Sequence, residues 1–290
     1  AKDLCSVRGL PTTFGSPLFR DAIAAEDSLH VARARAAGAL YIGKTNTPEF
    51  GLGSQSYNTV FGATRNALAE AGWEVGFLDR RGSGRQTEGR GDAPSWQQLV
   101  SDIGVALECL PKRPRVLVGI SWGAKTALAA AHAHPELVDG LVLLAPGLCP
   151  LVTLPLGKRL QILFTRLWNP KTLFDIPLND PALFTDNPQW LKFLAEDPLS
   201  LHRATARFLL ESARLDAWLA PRQWTVPALV QLAGREKIID NIATRRCVRR
   251  RFKGPRKIVE YPRAFHTLEF EADDSWRRDL LGWLDSIAEK

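Results

Sequence analysis

The 290-residue sequence contains no methionine, and only four cysteines and five histidines. With no methionine anywhere, the lack of a signal-peptide pattern at its start excludes nothing. The cysteines, Cys5, Cys109, Cys149 and Cys247, are scattered, without the paired spacing of a zinc site or a disulfide scaffold. Neither a bound metal nor a cofactor is expected, and the reduced cytoplasm is the default compartment. No apolar run approaches the ~18 residues of a membrane helix, so no stable membrane insertion is expected. The formal charge of +7 raises the question of nucleic acid. The excess sits in Arg245-Arg246, Arg249-Arg250-Arg251, Lys253 and Arg256-Lys257, in and after a helical pattern, with no nucleic-acid-binding motif beside it. A solvated helix face accounts for it, and no nucleic-acid partner is expected. With 45% hydrophobic and 24% charged residues, the composition is that of an ordinary globular protein.

What is present centres on Gly119-Ile120-Ser121-Trp122-Gly123. The apolar run from Val116 enters this motif, and an alanine-rich helical pattern from Thr126 leaves it. Strand, sharp turn and helix follow in order. Small residues flank such a turn because its backbone is strained and the helix passes close to the strand. The turn would present the Ser121 hydroxyl at the carboxyl edge of a sheet, beside the amide-rich start of a helix. Residues 73–79 read as a buried strand, and Leu137 to Pro146 holds another apolar run. Strands alternating with helices imply parallel pairing, with helices on both faces. Between Pro146 and Thr225 this alternation stops. Helical apolar spacing in 156–167 and 199–219, with Trp168, Phe174, Phe184, Trp190 and Phe193, predicts a helical insert over 147–223.

Residues 67–290 resemble the α/β-hydrolase superfamily, in the branch of serine aminopeptidases, monoacylglycerol lipases and lysophospholipases. The carrying motifs are Asp79-Arg80-Arg81-Gly82-Ser83-Gly84, Gly119 to Gly123, the turn from Ala233 to Asp240, and Phe265-His266-Thr267-Leu268-Glu269-Phe270. The resemblance implies an α/β fold with a mostly parallel sheet, a core from 67–146 and 224–290, and an insert that caps the site and binds acyl chains.

Residues 1–66 resemble the amidase signature family instead. The motifs are Lys2-Asp3, Gly9-Leu10-Pro11-Thr12-Thr13, Gly43-Lys44-Thr45-Asn46 and Phe61-Gly62. The resemblance would make Lys2 catalytic, but that chemistry needs serines on a Gly-Gly-Ser-Ser-Gly-Gly-type loop, which this sequence lacks. The hydrolase part has its own gap. No His-Gly dipeptide occurs, although that loop normally gives one of two oxyanion-hole N–H groups. Residues 39–43 are expected to form a strand in the same sheet as 73–79 and 115–119. Gly43 and Lys44 would then offer a backbone donor beside Ser121, with the Trp122 N–H as the other.

A serine hydroxyl needs an adjacent base. The superfamily order is serine, acid, histidine, and of the five histidines only His266 follows an acid-bearing turn. The acid is expected to be Glu236, directly after the strand at 228–234. Asp240 is the alternative, or else an N-cap for the helix that follows. The expected function is a serine hydrolase cleaving carboxylic esters with an apolar acyl group through a Ser121–Glu236–His266 triad. Two alternatives stay open: a catalytically silent chimera, and an amide or peptide hydrolase with the same triad. The sequence carries no signal of oligomeric state.

Overall fold

A computed structural model describes residues 3–36, 44, 57–58, 62–63, 68, 71–84, 89–110 and 113–289. They fall into two compact units, Ala1–Val75 and Gly76–Lys290.

In the first unit, helix α1 (Leu29–Ala36) buries Val31. Strands β1 (Tyr57–Asn58) and β2 (Gly62–Ala63) pair antiparallel. A buried ion pair joins Lys44 Nζ to Asp3 Oδ1 at 2.6 Å. Lys44 also donates to the Pro11 carbonyl and the Thr12 hydroxyl, and Asp3 accepts from the backbone and side chain of Thr13. Burial pushes the Asp3 carboxyl up; the Lys44 and Thr13 donors outweigh it and hold the group below its usual range. The expected strand at 39–43 lies outside the described residues, as does Gly43.

The second unit is built on a four-stranded sheet in the order β3-β4-β7-β8. The strands are β3 (Val116–Ile120), β4 (Gly140–Leu144), β7 (Ala228–Ala233) and β8 (Arg256–Tyr261). All three pairings are parallel. Every residue of β4 and β7 is buried, as expected for strands covered on both faces. Alternation along the strands shows what covers each face. Leu141, Leu143, Val230 and Leu232 pack with helices α2 (Trp96–Glu108) and α3 (Gly123–Ala133). On the opposite face, Gln231 donates to the Trp276 carbonyl of helix α8 (Ser275–Ala288), and Gly140 lies under Trp283 of the same helix.

Between β4 and β7 stand helices α4 (Leu156–Trp168), α5 (Pro188–Glu196) and α6 (Ala206–Leu219). A two-stranded pair, β5 (Leu173–Asp175) and β6 (Arg203–Thr205), accompanies them. Helix α6 sends Leu215 and Leu219 into the main core. Helix α4 buries only Ile162 and leaves Leu156, Leu160, Leu163, Phe164, Leu167 and Trp168 exposed. Helix α7 (Asn241–Arg251) follows β7, with Arg246, Arg249 and Arg250 exposed and Arg245 paired to Glu260.

The expectation of a strand at 73–79 is corrected. Among the described residues these form no ladder, and Phe77 is 81% exposed, with Val75 and Leu78 exposed as well. An apolar run becomes a strand only where a neighbour takes its hydrogen bonds and its faces are covered. Strand β3 instead stands at the edge of the described sheet, with Val118 and Ile120 exposed.

Candidate active site

Strand β3 ends at Ile120, helix α3 begins at Gly123, and Ser121 turns the chain between them with φ of 49°. That left-handed conformation is costly for a residue with a side chain and persists only where its surroundings impose it. Here they do. Ser121 N donates to the Leu144 carbonyl at 2.9 Å, and the Ser121 carbonyl accepts from Gly147 N at 2.9 Å and Ala124 N at 3.2 Å. The end of β4 thus clamps the turn from both sides.

The two flanking glycines differ. A Cβ on Gly119 would stand 2.7 Å from the Ala124 Cα, against backbone, whereas a Cβ on Gly123 would meet nothing within 4 Å. Gly119→Ala is therefore expected to destabilise the fold by about 1–3 kcal/mol, and Gly123→Ala to leave stability nearly unchanged. Thermal melts of the two variants check this; equal melting temperatures would contradict it.

The loop after β8 carries His266. Phe265 N donates to the Glu271 carboxylate at 2.7 Å, and Thr267 N to the Phe184 carbonyl at 3.1 Å. These bonds fix the imidazole from both neighbours, and the Phe184 ring stands edge-on to it at 5.7 Å. His266 Nε2 is 2.9 Å from Ser121 Oγ. His266 Nδ1 is 2.8 Å from Glu236 Oε2 and 3.0 Å from Oε1. The histidine and glutamate side chains are 2% and 3% exposed, so water does not compete for these bonds. Glu236 Oε1 also accepts from Lys237 N at 3.0 Å and Ile238 N at 2.8 Å, so its own turn anchors the carboxylate.

The structure thus brings Ser121, His266 and Glu236 together. It does not bring Asp240 to the imidazole: the Asp240 carboxylate accepts from Ala243 N at 2.9 Å and caps helix α7. The partners set the imidazole tautomer. A proton on Nδ1 faces the carboxylate and leaves Nε2 free to accept from the serine hydroxyl.

Among the described residues the Trp122 N–H has no hydrogen-bond partner, and it sits at the start of α3, where amide dipoles favour negative charge. Of the other expected donors, Gly43 lies outside the described residues, and Lys44 belongs to the first unit, where its ammonium pairs with Asp3. No cluster of three or more metal-ligating side chains occurs among the described residues.

Several side-chain contacts around the site carried no sequence signal. The Trp122 indole donates to Ser212 Oγ at 2.8 Å. The Arg80 guanidinium lies over the Trp122 and Phe208 rings, 4.9 and 4.8 Å from their centroids. Among the described residues its Nη1 has no hydrogen-bond partner, and burial pulls its pKa down to about 10. An arginine between an aspartate and a glycine-rich loop reads as solvated, so only packing reveals this one.

Glu269 stands in a motif of the sequence, but its burial is visible only in the packing. Burial raises its carboxyl above the ordinary range, with its own backbone hydrogen bond and the nearby His266 acting against that, and its Oε2 has no partner among the described residues. Because the folded pKa is raised, the stability this group lends is full below the unfolded pKa of about 4.3 and is lost as pH rises through the folded value. Glu269→Gln is expected to remove that slope. Melting temperatures of the two proteins from acid to neutral pH should diverge in favour of the variant; parallel curves would contradict the assignment.

A parallel sheet covered on both faces, with a serine on a strained strand-to-helix turn and a histidine after the last strand, is the α/β-hydrolase architecture. The chain belongs to the serine aminopeptidase S33 family of hydrolases, whose model matches residues 52–273. A monoacylglycerol lipase from Paleococcus ferrophilus has a similar fold. Its TM-score is 0.69 at 24% identity, over 76% of this chain and 86% of that one. A soluble variant of monoglyceride lipase from Saccharomyces cerevisiae gives 0.60 at 20% identity, over 72% and 76%.

Residues 1–74 match the amidase family model. An acylamidase of Rhodococcus erythropolis is 45% identical over 75 residues, which is 26% of this chain and 15% of the acylamidase. A glutamyl-tRNA(Gln) amidotransferase chain of Treponema pallidum is 49% identical over 65 residues, or 22% of this chain and 13% of its own length. The chain therefore spans less than a sixth of these amidase relatives.

Proposed function

We propose that the unit Gly76–Lys290 is a serine hydrolase that cleaves carboxylic esters through an acyl-enzyme. Ser121 Oγ attacks the carbonyl as His266 Nε2 takes its proton. The Glu236 carboxylate holds Nδ1–H and offsets the charge of the imidazolium. The Trp122 N–H donates to the oxyanion. His266 then returns the proton to the leaving alcohol, and water repeats the sequence to release the acid.

The observation that carries this reading is the Ser121–His266–Glu236 hydrogen-bonded chain, at 2.9 and 2.8 Å, on a serine with φ of 49°. A small ester with an apolar acyl group is the substrate class. The apolar residues of the insert and the lipase names of the similar structures support it. The family's description as aminopeptidases supports a second reading, amide hydrolysis by the same three residues. No catalysis is proposed for the amidase-like segment, since Lys2 has no partner serine loop.

Hydrolysis of p-nitrophenyl esters from acetate to palmitate, beside matching p-nitroanilides, tests the proposal. Turnover of the esters, fastest with longer acyl chains, is expected. Turnover of anilides alone would favour the second reading, and turnover of neither would overturn both.

A further inference from the structure

We propose that the exposed face of helix α7 binds a compact anion that bears several phosphate groups. The positive charge of this protein is not spread evenly along the chain. Residues 241–259 hold eight arginines and lysines and no aspartate or glutamate, while the whole chain carries a formal charge of +7. The other residues together are therefore slightly acidic. A merely solvated helix face mixes the two signs; this one excludes one of them.

The structure gathers these cations into one place. A cleft of about 470 Å³, open to solvent, is lined by Ile242, Arg245, Arg246, Arg249 and Arg250, all from α7. Arg245 is neutralised by its ion pair with Glu260. Arg246, Arg249 and Arg250 are exposed and have no ion-pair partner among the described residues. Residue 246 stands three and four positions before the other two, so like charges are neighbours on the helix surface, which costs stability when nothing neutralises them. The negative end of the helix dipole relieves Arg249 and Arg250 in the last turn, but not Arg246 a turn earlier. A bound anion offsets the rest.

The geometry selects the kind of anion. The three unpaired guanidinium groups branch from about 6 Å of helix axis. Each is a planar fork that takes two oxygens of one phosphate. Two or three phosphates joined in a row match that span. A nucleic acid would find no platform here, since the one aromatic residue in 241–259, Phe252, is buried and no base could stack on it. Ile242, 73% exposed, is the only apolar residue of the cleft and is too little to anchor a lipid surface. The cleft includes none of Ser121, His266 and Glu236, so the proposal does not depend on the ester-hydrolase reading.

Calorimetric titration of the full chain with inorganic tripolyphosphate at low ionic strength tests this. Saturable binding is expected, weaker as salt is added and accompanied by a rise in melting temperature. The triple substitution Arg246→Gln, Arg249→Gln and Arg250→Gln is expected to lower the affinity by about tenfold or more, because charge-assisted bonds are lost. Without ligand its melting temperature should be no lower than the parent's, because the like charges are gone. A second triple substitution, Lys171→Gln, Lys192→Gln and Arg263→Gln, removes the same charge from exposed positions outside the cleft and should bind as the parent does. Three results would overturn the proposal. They are no saturable binding, an equal loss of affinity in both triple variants, and capture of a DNA duplex or of phosphatidylserine vesicles through the three arginines without binding of tripolyphosphate.

Discussion

Ester hydrolysis is expected to fall by about ten-thousand-fold or more when Ser121 is replaced by alanine, with the fold intact. The hydroxyl is the attacking group in this account, and nothing else in the site can take its place. Among the described residues its only side-chain bond is to His266 Nε2 at 2.9 Å, so its loss removes no structural contact of weight there. The strained backbone at residue 121 is held by Leu144, Ala124 and Gly147 through main-chain bonds that alanine keeps. Melting temperature and circular dichroism should therefore match the parent while turnover drops to background. A variant that keeps a tenth of the parent rate would remove Ser121 from the mechanism.

Glu236→Ala is expected to cost on the order of a thousand- to ten-thousand-fold, and Asp240→Ala only a few-fold. Glu236 is within 3.0 Å of His266 Nδ1 through both oxygens, and both side chains are buried. Removing it leaves the imidazole free to carry its proton on the wrong nitrogen and its positive charge without a partner. Asp240 instead caps a helix, so its loss should appear as about 1 kcal/mol of stability rather than as lost rate. The two substitutions thus separate rate from stability. Glu236→Gln sharpens the test, since it keeps the shape of the side chain and loses the charge. Steady-state rates and thermal melts on the same preparations check all three; an Asp240→Ala rate below that of Glu236→Ala would exchange their roles.

Much of this site was readable in the sequence because its parts are local. A glycine two residues before Ser121 is demanded by a backbone approach of 2.7 Å, and an apolar strand before it with an alanine-rich helix after it defines the turn. His266 follows from chain order. The choice between Glu236 and Asp240 was less accessible, since it depends on which carboxylate the helix start consumes. Residues 73–79 show the opposite case. Their apolar character resembles that of β4 and β7, but those strands are paired on both edges and covered on both faces, while Phe77 is left in solvent. What a run of apolar residues becomes depends on neighbours that the run itself does not encode. Arg80 and Glu269 were hidden for a related reason: charged residues read as solvated until packing shows them buried.

The most direct test of the central claim is labelling of the protein with a fluorophosphonate, followed by mapping of the modified peptide. The account predicts one adduct on Ser121, formed quickly in the parent protein and only slowly in His266→Ala, where the serine has lost its base. An adduct on another serine, or labelling of Ser121 at the same rate without His266, would contradict it.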